Sequence, residues 1–349
     1  MVTLKEIASR CNVSATTVSN ILNGKPKVSE KTREEVMQVV RELGYQPDYI
    51  AQGLRRKKTR TIGIIAEDIA QFTTPTMVES IMAYCEERGY RTIVQNLRLY
   101  GRWSDQWFNQ EEEYERVLEP ALMELQSVKV EGIIYLAGHA RVIKSISNHF
   151  PIPVVMAYAY TKLPHIPSVV IDDRKSSYEL VSYLLSKGHT KIGVVAGKED
   201  NIHTQRRLLG YQEALYDAEV TYNPKWVRFG DWERPSGHAE AGALVEEGVT
   251  AIYCMADRMA GGVYDYLEEH GIRVGEDISV IGFDNQDIAE YFRPALTTTA
   301  LPLAEIGRKS AEILLKRLDE EWTEPEKEEI IEIPIPCTFI ERNSVKKFN

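Results

Sequence analysis

The sequence predicts a small all-α helix-turn-helix headpiece followed by a larger α/β body with two lobes, each built on a parallel sheet. A length of 349 residues exceeds one ordinary hydrophobic core, so two or three domains are expected. The hydrophobic pattern changes near residue 60, from short helices to strands that alternate with helices. The charge changes there too: residues 1–60 hold twelve Lys or Arg and six Asp or Glu, whereas the whole chain carries −10. A basic end on an acidic body indicates that this end meets a polyanion.

The composition excludes several classes of protein. Hydrophobic residues make up 43% and charged residues 27%, as in soluble globular proteins. No apolar run reaches about 18 residues, so no membrane-spanning helix is expected. The amino terminus lacks the apolar core of a signal peptide, which predicts a cytoplasmic protein. Four widely spaced cysteines without metal-ligand spacing predict reduced thiols, and neither a metal site nor a cofactor is expected.

Residues 3–44 predict three short helices, each started by a hydroxyl side chain. Thr3, Ser14 and Ser29 stand where their oxygens can accept a free backbone N–H at the start of an apolar stripe of helical spacing. Such helices form either a helix-turn-helix unit or a generic bundle with one polar face. The outer face of the second helix carries only small or hydrogen-bonding residues, which suit close approach to DNA: Ala15, Thr16, Thr17, Ser19 and Asn20.

The segments VTLKEIASRCNVSATTVSNILNG and VSEKTREEVMQVVRELGYQPDYIAQGLRR resemble the headpiece of the LacI/GalR (lactose repressor/galactose repressor) family. The resemblance implies a helix-turn-helix DNA-binding domain over 1–46, which reads a pseudo-palindromic operator in double-stranded DNA. Ala15, Thr16 and Asn20 take the base-reading positions. Asn20 departs from the arginine usual there, and asparagine prefers adenine where arginine prefers guanine. Phosphate-contacting positions of the family are matched by Thr3, Ser14, Thr17, Ser19, Asn23, Ser29 and Thr32.

Residues 47–59 resemble the hinge helix and linker of the same family, which order only on operator DNA. Ala51 and Leu54 fall in this hinge, and Leu54 matches the leucine that wedges into the minor groove and kinks the duplex. Without the resemblance, an ordinary buried linker leucine explains Leu54 equally well. The basic run 55–58 suits either phosphate contact or a solvated linker.

Short apolar runs alternate with amphipathic segments from Thr61 onwards, which indicates parallel sheets covered by helices on both faces. Segments such as GHTKIGVVAG, RRLLGYQEAL and ADRMAGGVYDYLEEHGIRVGEDISVIGFDN extend the resemblance to the family's effector-binding domain, which has a periplasmic-binding-protein-like fold. It implies an effector-binding domain over 60–343. The N-lobe is expected over about 60–159 and 290–318, and the C-lobe over about 160–289 and 319–343. Ligands bind beyond the carboxyl ends of such strands, so the cleft between the lobes is the expected site.

The resemblance implies effector contacts at eight positions: Asp68, Phe72, Thr73, Tyr158, Arg207, Trp232, Asp257 and Asp284. A guanidinium such as that of Arg207 suits paired hydroxyls or a carboxylate. Asp284 would accept hydroxyl hydrogens, and Trp232 would offer a flat apolar surface to a sugar ring. Two alternatives stay open: Arg207 and Asp284 pair with each other, or Trp232 belongs to the core. Asp172 and Asp173 are predicted to end a strand and cap a helix rather than to act in catalysis.

Departures from the family limit the choice of effector. Ala256 stands where many relatives carry a polar ligand contact, whereas Tyr158 and Tyr160 add aromatic surface. These exchanges favour an oligosaccharide or glycoside, and a sugar acid held by Arg207 is the alternative. The segment after RTIVQN is longer and more aromatic than is usual in the family. Its aromatic side chains either fold over a ligand or form a local cluster: Trp103, Trp107 and Phe108.

These observations predict a sequence-specific DNA-binding transcription regulator, taken to be a repressor, that a small molecule of the carbohydrate type controls. No leucine heptads follow the body, so a homodimer is expected rather than a tetramer. A solute-binding protein without a regulatory role is the alternative, and the basic headpiece argues against it. No nucleophile elbow, HExxH motif or dinucleotide-binding fingerprint occurs, so no enzymatic activity is expected.

Overall fold

The computed structural model describes residues 2–22, 28–45, 59–103, 111–147, 150–319 and 330–348. The chain divides into two compact units, Met1–Thr59 and Arg60–Asn349. Within the part of the chain that the structure describes, no helix combines the length and the apolar character needed to cross a bilayer. The four cysteines are free thiols, as the sequence predicts.

The described residues of the headpiece form three helices: α1 (Leu4–Arg10), α2 (Ala15–Leu22) and α3 (Glu30–Glu42). The predicted caps are confirmed, because the hydroxyls of Thr3 and Ser29 accept hydrogen bonds from backbone N–H groups at the starts of α1 and α3. Ser14 Oγ does the same for the N–H of Thr17, at 3.0 Å. The apolar stripes meet in a small core of Ile7, Ala8, Val18, Ile21, Val36 and Val40.

The first lobe of the body is a six-stranded parallel sheet with helices on both faces. Its elements up to the first crossing are β1 (Thr61–Ala66), α4 (Thr74–Glu87), β2 (Arg91–Asn96), α5 (Leu99–Trp103), α6 (Glu111–Ser127), β3 (Gly132–Leu136), β4 (Val142–Ile143), β5 (Val154–Ala157), β6 (Tyr160–Thr161) and β7 (Ser168–Ile171). The short strands β4 and β6 pair with each other outside the main sheet. Buried residues fill two cores, one on each face of the sheet.

The second lobe is a four-stranded parallel sheet with its own core. Its elements are α7 (Asp173–Ser186), β8 (Ile192–Ala196), α8 (Ile202–Asp217), β9 (Val227–Phe229), α9 (Arg234–Glu246), β10 (Ala251–Cys254), α10 (Asp257–Glu269), β11 (Ser279–Ile281) and α11 (Ile288–Tyr291). The strand order is β11-β10-β8-β9. The predicted two-lobed α/β architecture with parallel sheets is therefore confirmed.

The remaining elements connect the lobes: β12 (Thr298–Ala300), α12 (Leu303–Leu318), β13 (Glu332–Ile335) and β14 (Thr338–Ile340). β12 and β14 pair antiparallel. α12 packs into the core of the first lobe, and β13 joins the first sheet, whose order is β13-β7-β5-β3-β1-β2. Leu301 and Cys337 each pack against the cores of both lobes, so the chain crosses between the lobes near these two residues. It also crosses from the first lobe to the second after β7.

Sheet membership corrects the expected lobe limits. The strands at 168–171 and 332–335, expected in the C-lobe, belong to the sheet of the N-lobe. The segment at 290–300, expected in the N-lobe, belongs to the second lobe, since Phe292 and Leu296 lie in the core of that lobe. Local sequence patterns do not predict which sheet a strand joins. A strand that follows a crossing into the other lobe has the same hydrophobic periodicity as a strand that remains in its own lobe.

Candidate functional site

The carboxyl ends of both parallel sheets border one cavity of about 760 Å³. Loops that follow β1, β3 and β5 line it from the first lobe, and loops that follow β8, β9, β10 and β11 line it from the second. Parallel strands of one sheet end at the same edge, so side chains distant in sequence meet there. The cavity lies where the alternation of strands and helices predicts a ligand site.

A buried ionic network forms the second-lobe floor of the cavity. Oδ1 of Asp173 accepts a hydrogen bond from Nε of Arg207 at 2.8 Å, and Oδ2 lies 2.7 Å from Nδ1 of His203. Nη1 of Arg207 donates to the carbonyl of Met255, and its guanidinium lies 3.5 Å from the ring centroid of Phe283. Asp173 is 1% exposed and Arg207 is 2% exposed. Buried charges are stable only when each is paired with an opposite charge and hydrogen-bonded, and Asp173 and Arg207 both are.

The two charges of the network neutralise each other. Burial alone would raise the pKa of Asp173, but its contacts with His203 and Arg207 outweigh burial and hold this pKa below its ordinary value. Burial works against the charged form of Arg207, and the carboxylates of Asp173 and Asp284 more than offset it, so its pKa is raised. His203 lines the cavity, and its Nε2 is buried without a hydrogen-bond partner among the described residues.

Asp284 adds a second carboxylate to the cavity wall. It follows β11 in a left-handed backbone conformation with φ 111°, a strained region for a residue other than glycine. Its N–H donates to the carbonyl of Thr299 at 2.9 Å, and Oδ2 accepts from Nε2 of Gln286 at 3.2 Å. Burial raises the pKa of Asp284 to about 7, against the opposing charge of Arg207. Arg207 and Asp284 attract each other, but the carboxylate that Arg207 hydrogen-bonds is that of Asp173.

Trp232 lines the cavity and also packs against the second-lobe core. A position at the ligand site and a position in the core, which the sequence offered as alternatives, are therefore both occupied by this side chain. It follows β9 with φ 78°, and its ring centroid lies 5.8 Å from the guanidinium carbon of Arg207. A Cβ atom on Gly197 would lie 2.0 Å from Cζ2 of the ring. A side chain at position 197 would therefore displace the Trp232 ring, so Gly197 is required for this packing.

Three predicted residues line the cavity from the first lobe: Phe72, Thr73 and Tyr158. Phe72 is 38% exposed. Oγ1 of Thr73 donates to the carbonyl of Gly138 at 2.9 Å, which ties the loop after β1 to the loop after β3. Tyr158 has φ 57°, and its ring centroid lies 5.2 Å from that of His203. The first-lobe wall therefore presents aromatic surface towards the ionic floor.

Two predicted contact residues, Asp68 and Asp257, lie behind the cavity wall, and this corrects the expectation. Oδ1 of Asp68 accepts from the N–H of Ala70, and Oδ2 accepts from the N–H of Gly101. The Asp257 carboxylate accepts from Oγ1 of Thr298 at 2.7 Å and from the N–H of Gln286 at 2.8 Å. Both carboxylates hold loops that line the cavity, because buried carboxylates need such donors.

Sequence reasoning missed Asp173 and His203. Asp172 is the helix cap that the sequence predicts, accepting the N–H of Lys175 at 3.1 Å, but the side chain of Asp173 enters the ionic network instead. One signal was available for His203: it stands four residues before Arg207 in α8, and residues with this spacing share a helix face. Tyr100 and His139, which also line the cavity, gave no comparable signal.

Two family models match the chain. The model for bacterial regulatory proteins of the lacI family matches residues 3–48, and the model for a periplasmic binding protein-like domain matches residues 181–345. The HTH-type transcriptional repressor PurR of Vibrio campbellii is 31% identical over 353 aligned positions, which cover 100% of both chains. The chain belongs to the LacI family.

Solved structures of LacI-family proteins have the same architecture. The Lac repressor bound to ONPG in the repressed state is 25% identical, with a TM-score of 0.78 over 98% of this chain and 99% of that one. The complex of the transcriptional regulator CelR with cellobiose is 25% identical, with a TM-score of 0.64 over 99% of this chain and 100% of that one.

This LacI-family protein is a DNA-binding transcriptional repressor under effector control, and not an enzyme. The alternative of a solute-binding protein without a regulatory role is not favoured, because the headpiece matches the regulator family.

The LacI-family headpiece presents several of the predicted DNA-contacting side chains on the face of α2 away from its core. Val18 and Ile21 point into the core, whereas Thr16 is exposed and Asn20 is partly exposed. Paired hydroxyls start two helices: Ser14 lies 2.8 Å from Thr17, and Ser29 lies 2.8 Å from Thr32. Ala15 is partly buried against the core. Outside the described residues lie Asn23, Ala51, Leu54, the rest of the hinge at 47–58, Trp107 and Phe108.

Proposed function

We propose that the effector of this repressor is a neutral carbohydrate that binds in the cavity between the lobes. The observation that carries the proposal is the composition of the cavity floor. The positive charge of Arg207 is already matched by Asp173 at 2.8 Å, while the carboxylate of Asp284 still faces the cavity. Hydroxyl groups can donate to Asp284 and accept from Arg207 without bringing a charge of their own.

The same floor disfavours a sugar acid as the effector. A ligand carboxylate placed beside Arg207 would compete with Asp173 for the guanidinium that Asp173 already bonds. Separating the buried pair would leave a charge without a partner, which costs several kcal/mol. Lys144 and Lys162 also line the cavity, but they are exposed, so water and salt screen their attraction for an anion.

Aromatic side chains on both walls of the cavity support a sugar ring. Tyr158 and Phe72 line the first lobe, and Trp232 lines the second. The C–H face of a pyranose is apolar and packs on such rings, while its hydroxyl edge is free to reach carboxylate and guanidinium groups. The relative CelR was solved in complex with cellobiose, a neutral disaccharide.

A thermal-shift screen of the full chain tests the proposal. The panel contains neutral monosaccharides and disaccharides together with gluconate, glucuronate and galacturonate. A ligand at 100 times its Kd stabilises the folded state by about 2.7 kcal/mol, which raises the melting temperature measurably. We expect stabilisation by at least one neutral sugar and by none of the acids. Stabilisation by acids alone would refute the proposal.

We also propose that the repressor acts as a cytoplasmic homodimer on a pseudo-palindromic operator, read by Ala15, Thr16 and Asn20 and positioned by the hydroxyls at the helix starts. Two identical headpieces suit two half-sites. The hinge at 47–59, with Ala51 and Leu54, would contact the minor groove between the half-sites. Effector binding would then be coupled to the operator through the hinge.

Asn20→Ala is expected to lower operator affinity about 5- to 150-fold, since a bidentate base contact is worth about 1–3 kcal/mol of discrimination. Fluorescence anisotropy with duplexes from the protein's own promoter, at fixed moderate salt, measures the loss. Gln38→Ala, on the exposed face of α3, is the matched control and should bind like the original chain. An equal loss on random duplex would show that Asn20 does not read bases.

A further inference from the structure

We propose that Arg206 of the second lobe forms an interlobe latch with Glu332 and Tyr160 of the first lobe, and that this latch holds the lobes in the arrangement that binds the effector. None of these three described residues lines the cavity. A substitution at the latch therefore reaches the effector only through the position of the lobes. The measurement with sugars rests on the proposed carbohydrate effector, whereas the contacts of the latch do not.

Arg206 extends from α8 of the second lobe to two groups of the first lobe. Its Nη2 donates a hydrogen bond to Oε2 of Glu332 at 2.8 Å. Its guanidinium carbon lies 4.4 Å from the ring centroid of Tyr160, which is within the range of a cation–π contact. Glu332 belongs to β13 and Tyr160 to β6, so one side chain holds two separate segments of the first lobe.

Partial burial distinguishes this contact from an ordinary surface ion pair. The side chains of Arg206 and Glu332 are 30% and 34% exposed, and Tyr160 is 2% exposed within the core of the first lobe. An ion pair in open solvent contributes little, because water and salt screen it. A guanidinium that bonds a carboxylate and also lies over a buried ring is screened less, so it can hold the two lobes together.

The start of α8 packs against the first lobe on the same side. Ile202 packs against the core of that lobe, and the ring centroid of His203 lies 5.2 Å from that of Tyr158. Ile202 and His203 stand four and three residues before Arg206, so all three side chains lie on one side of the helix. Arg206 is therefore part of a continuous contact between the first turn of α8 and the first lobe.

The turn of α8 that contacts the first lobe also carries cavity residues. Arg207 follows Arg206 directly, and Asp173 bonds both Arg207 and His203 at the cavity floor. With the latch formed, Tyr158 of the first lobe and His203 of the second border the cavity together. An effector that contacts both walls binds this arrangement preferentially, so loss of the latch is expected to weaken effector binding by a population shift.

Urea unfolding of the full chain tests the latch without any ligand. Arg206→Ala, Glu332→Ala and the double variant form a cycle that isolates the contact between the two side chains. The loss of stability in the double variant is expected to be smaller than the sum of the two single losses. A strictly additive result would show that the two side chains do not interact across the lobes, and would overturn the latch.

Calorimetry then measures the effect on the effector, with the neutral sugar that most raises the melting temperature of the original chain. Arg206→Ala and Glu332→Ala are each expected to weaken this sugar by about fivefold, and the double variant by no more than either. Glu332 acts from the first lobe, so its effect cannot come from a local disturbance of Arg207. Arg206→Lys keeps the charge without the flat guanidinium and should lie between Arg206→Ala and the original chain.

The pair of Arg228 and Glu240 is the matched control. Its hydrogen bond has the same length of 2.8 Å, but it joins β9 to α9 within the second lobe. Arg228→Ala and Glu240→Ala should leave sugar affinity unchanged. Unchanged affinity in both Arg206→Ala and Glu332→Ala would overturn the latch and leave the carbohydrate effector standing. If no sugar of the panel bound the original chain, the proposed effector would fail, and the unfolding cycle would decide the latch by itself.

Discussion

Replacing Asp173 by alanine is expected to lower the free energy of unfolding by about 3–5 kcal/mol, the cost typical of removing one partner from a buried ion pair. Arg207 would keep its charge at 2% exposure, with no carboxylate bonded to Nε, and His203 would lose the acceptor at Nδ1. Since a domain is stable by only about 5–15 kcal/mol, this loss threatens the folding of the second lobe at moderate temperature.

The neighbouring aspartate supplies a matched control. Asp172→Ala removes only the cap of α7, in which Asp172 accepts the N–H of Lys175, and should cost about 1 kcal/mol. Urea unfolding of the full chain, followed by far-ultraviolet circular dichroism, compares the two variants. Similar losses for both would show that Asp173 contributes no more than a helix cap. Asp173→Asn, which keeps the shape but not the charge, should fall between them.

Asp284→Ala is expected to abolish the response to the effector while operator affinity stays within about twofold of the original. A hydrogen bond to a charged group contributes roughly 1.5–3 kcal/mol, so losing two sugar hydroxyls bound to one carboxylate weakens binding by at least about 100-fold. The headpiece lies in the other compact unit of the chain, so its own fold does not depend on this side chain. Anisotropy titrations of operator DNA with and without the stabilising sugar measure both quantities.

Asp287→Ala is the control for Asp284, because Asp287 stands three residues further on and is exposed. It should respond to the sugar as the original chain does. Arg207→Ala is a poorer test, since Arg207 is also the bonded partner of Asp173, and its loss would combine ligand and stability effects. A normal effector response in Asp284→Ala would place the ligand elsewhere in the cavity.

The sequence by itself determined the headpiece helices, their caps and the alternating parallel architecture of the body. These features depend on hydrophobic periodicity and on side chains that bond to nearby backbone, so the information lies within a few residues of the position concerned. Family motifs added the cavity residues Phe72, Arg207, Trp232 and Asp284, which do line the cavity.

Only the tertiary structure decided which carboxylates face the cavity. Asp173 and Arg207 are 34 residues apart, and two adjacent aspartates that look alike in sequence differ because one side chain enters the lobe while the other caps a helix. Asp68 and Asp257 are held behind the wall by donors from other loops. The ring contact between Tyr100 and His139 depends on segments that are distant in sequence. The same is true of the sheet that each lobe-crossing strand joins. Residue spacing within one segment cannot predict such contacts.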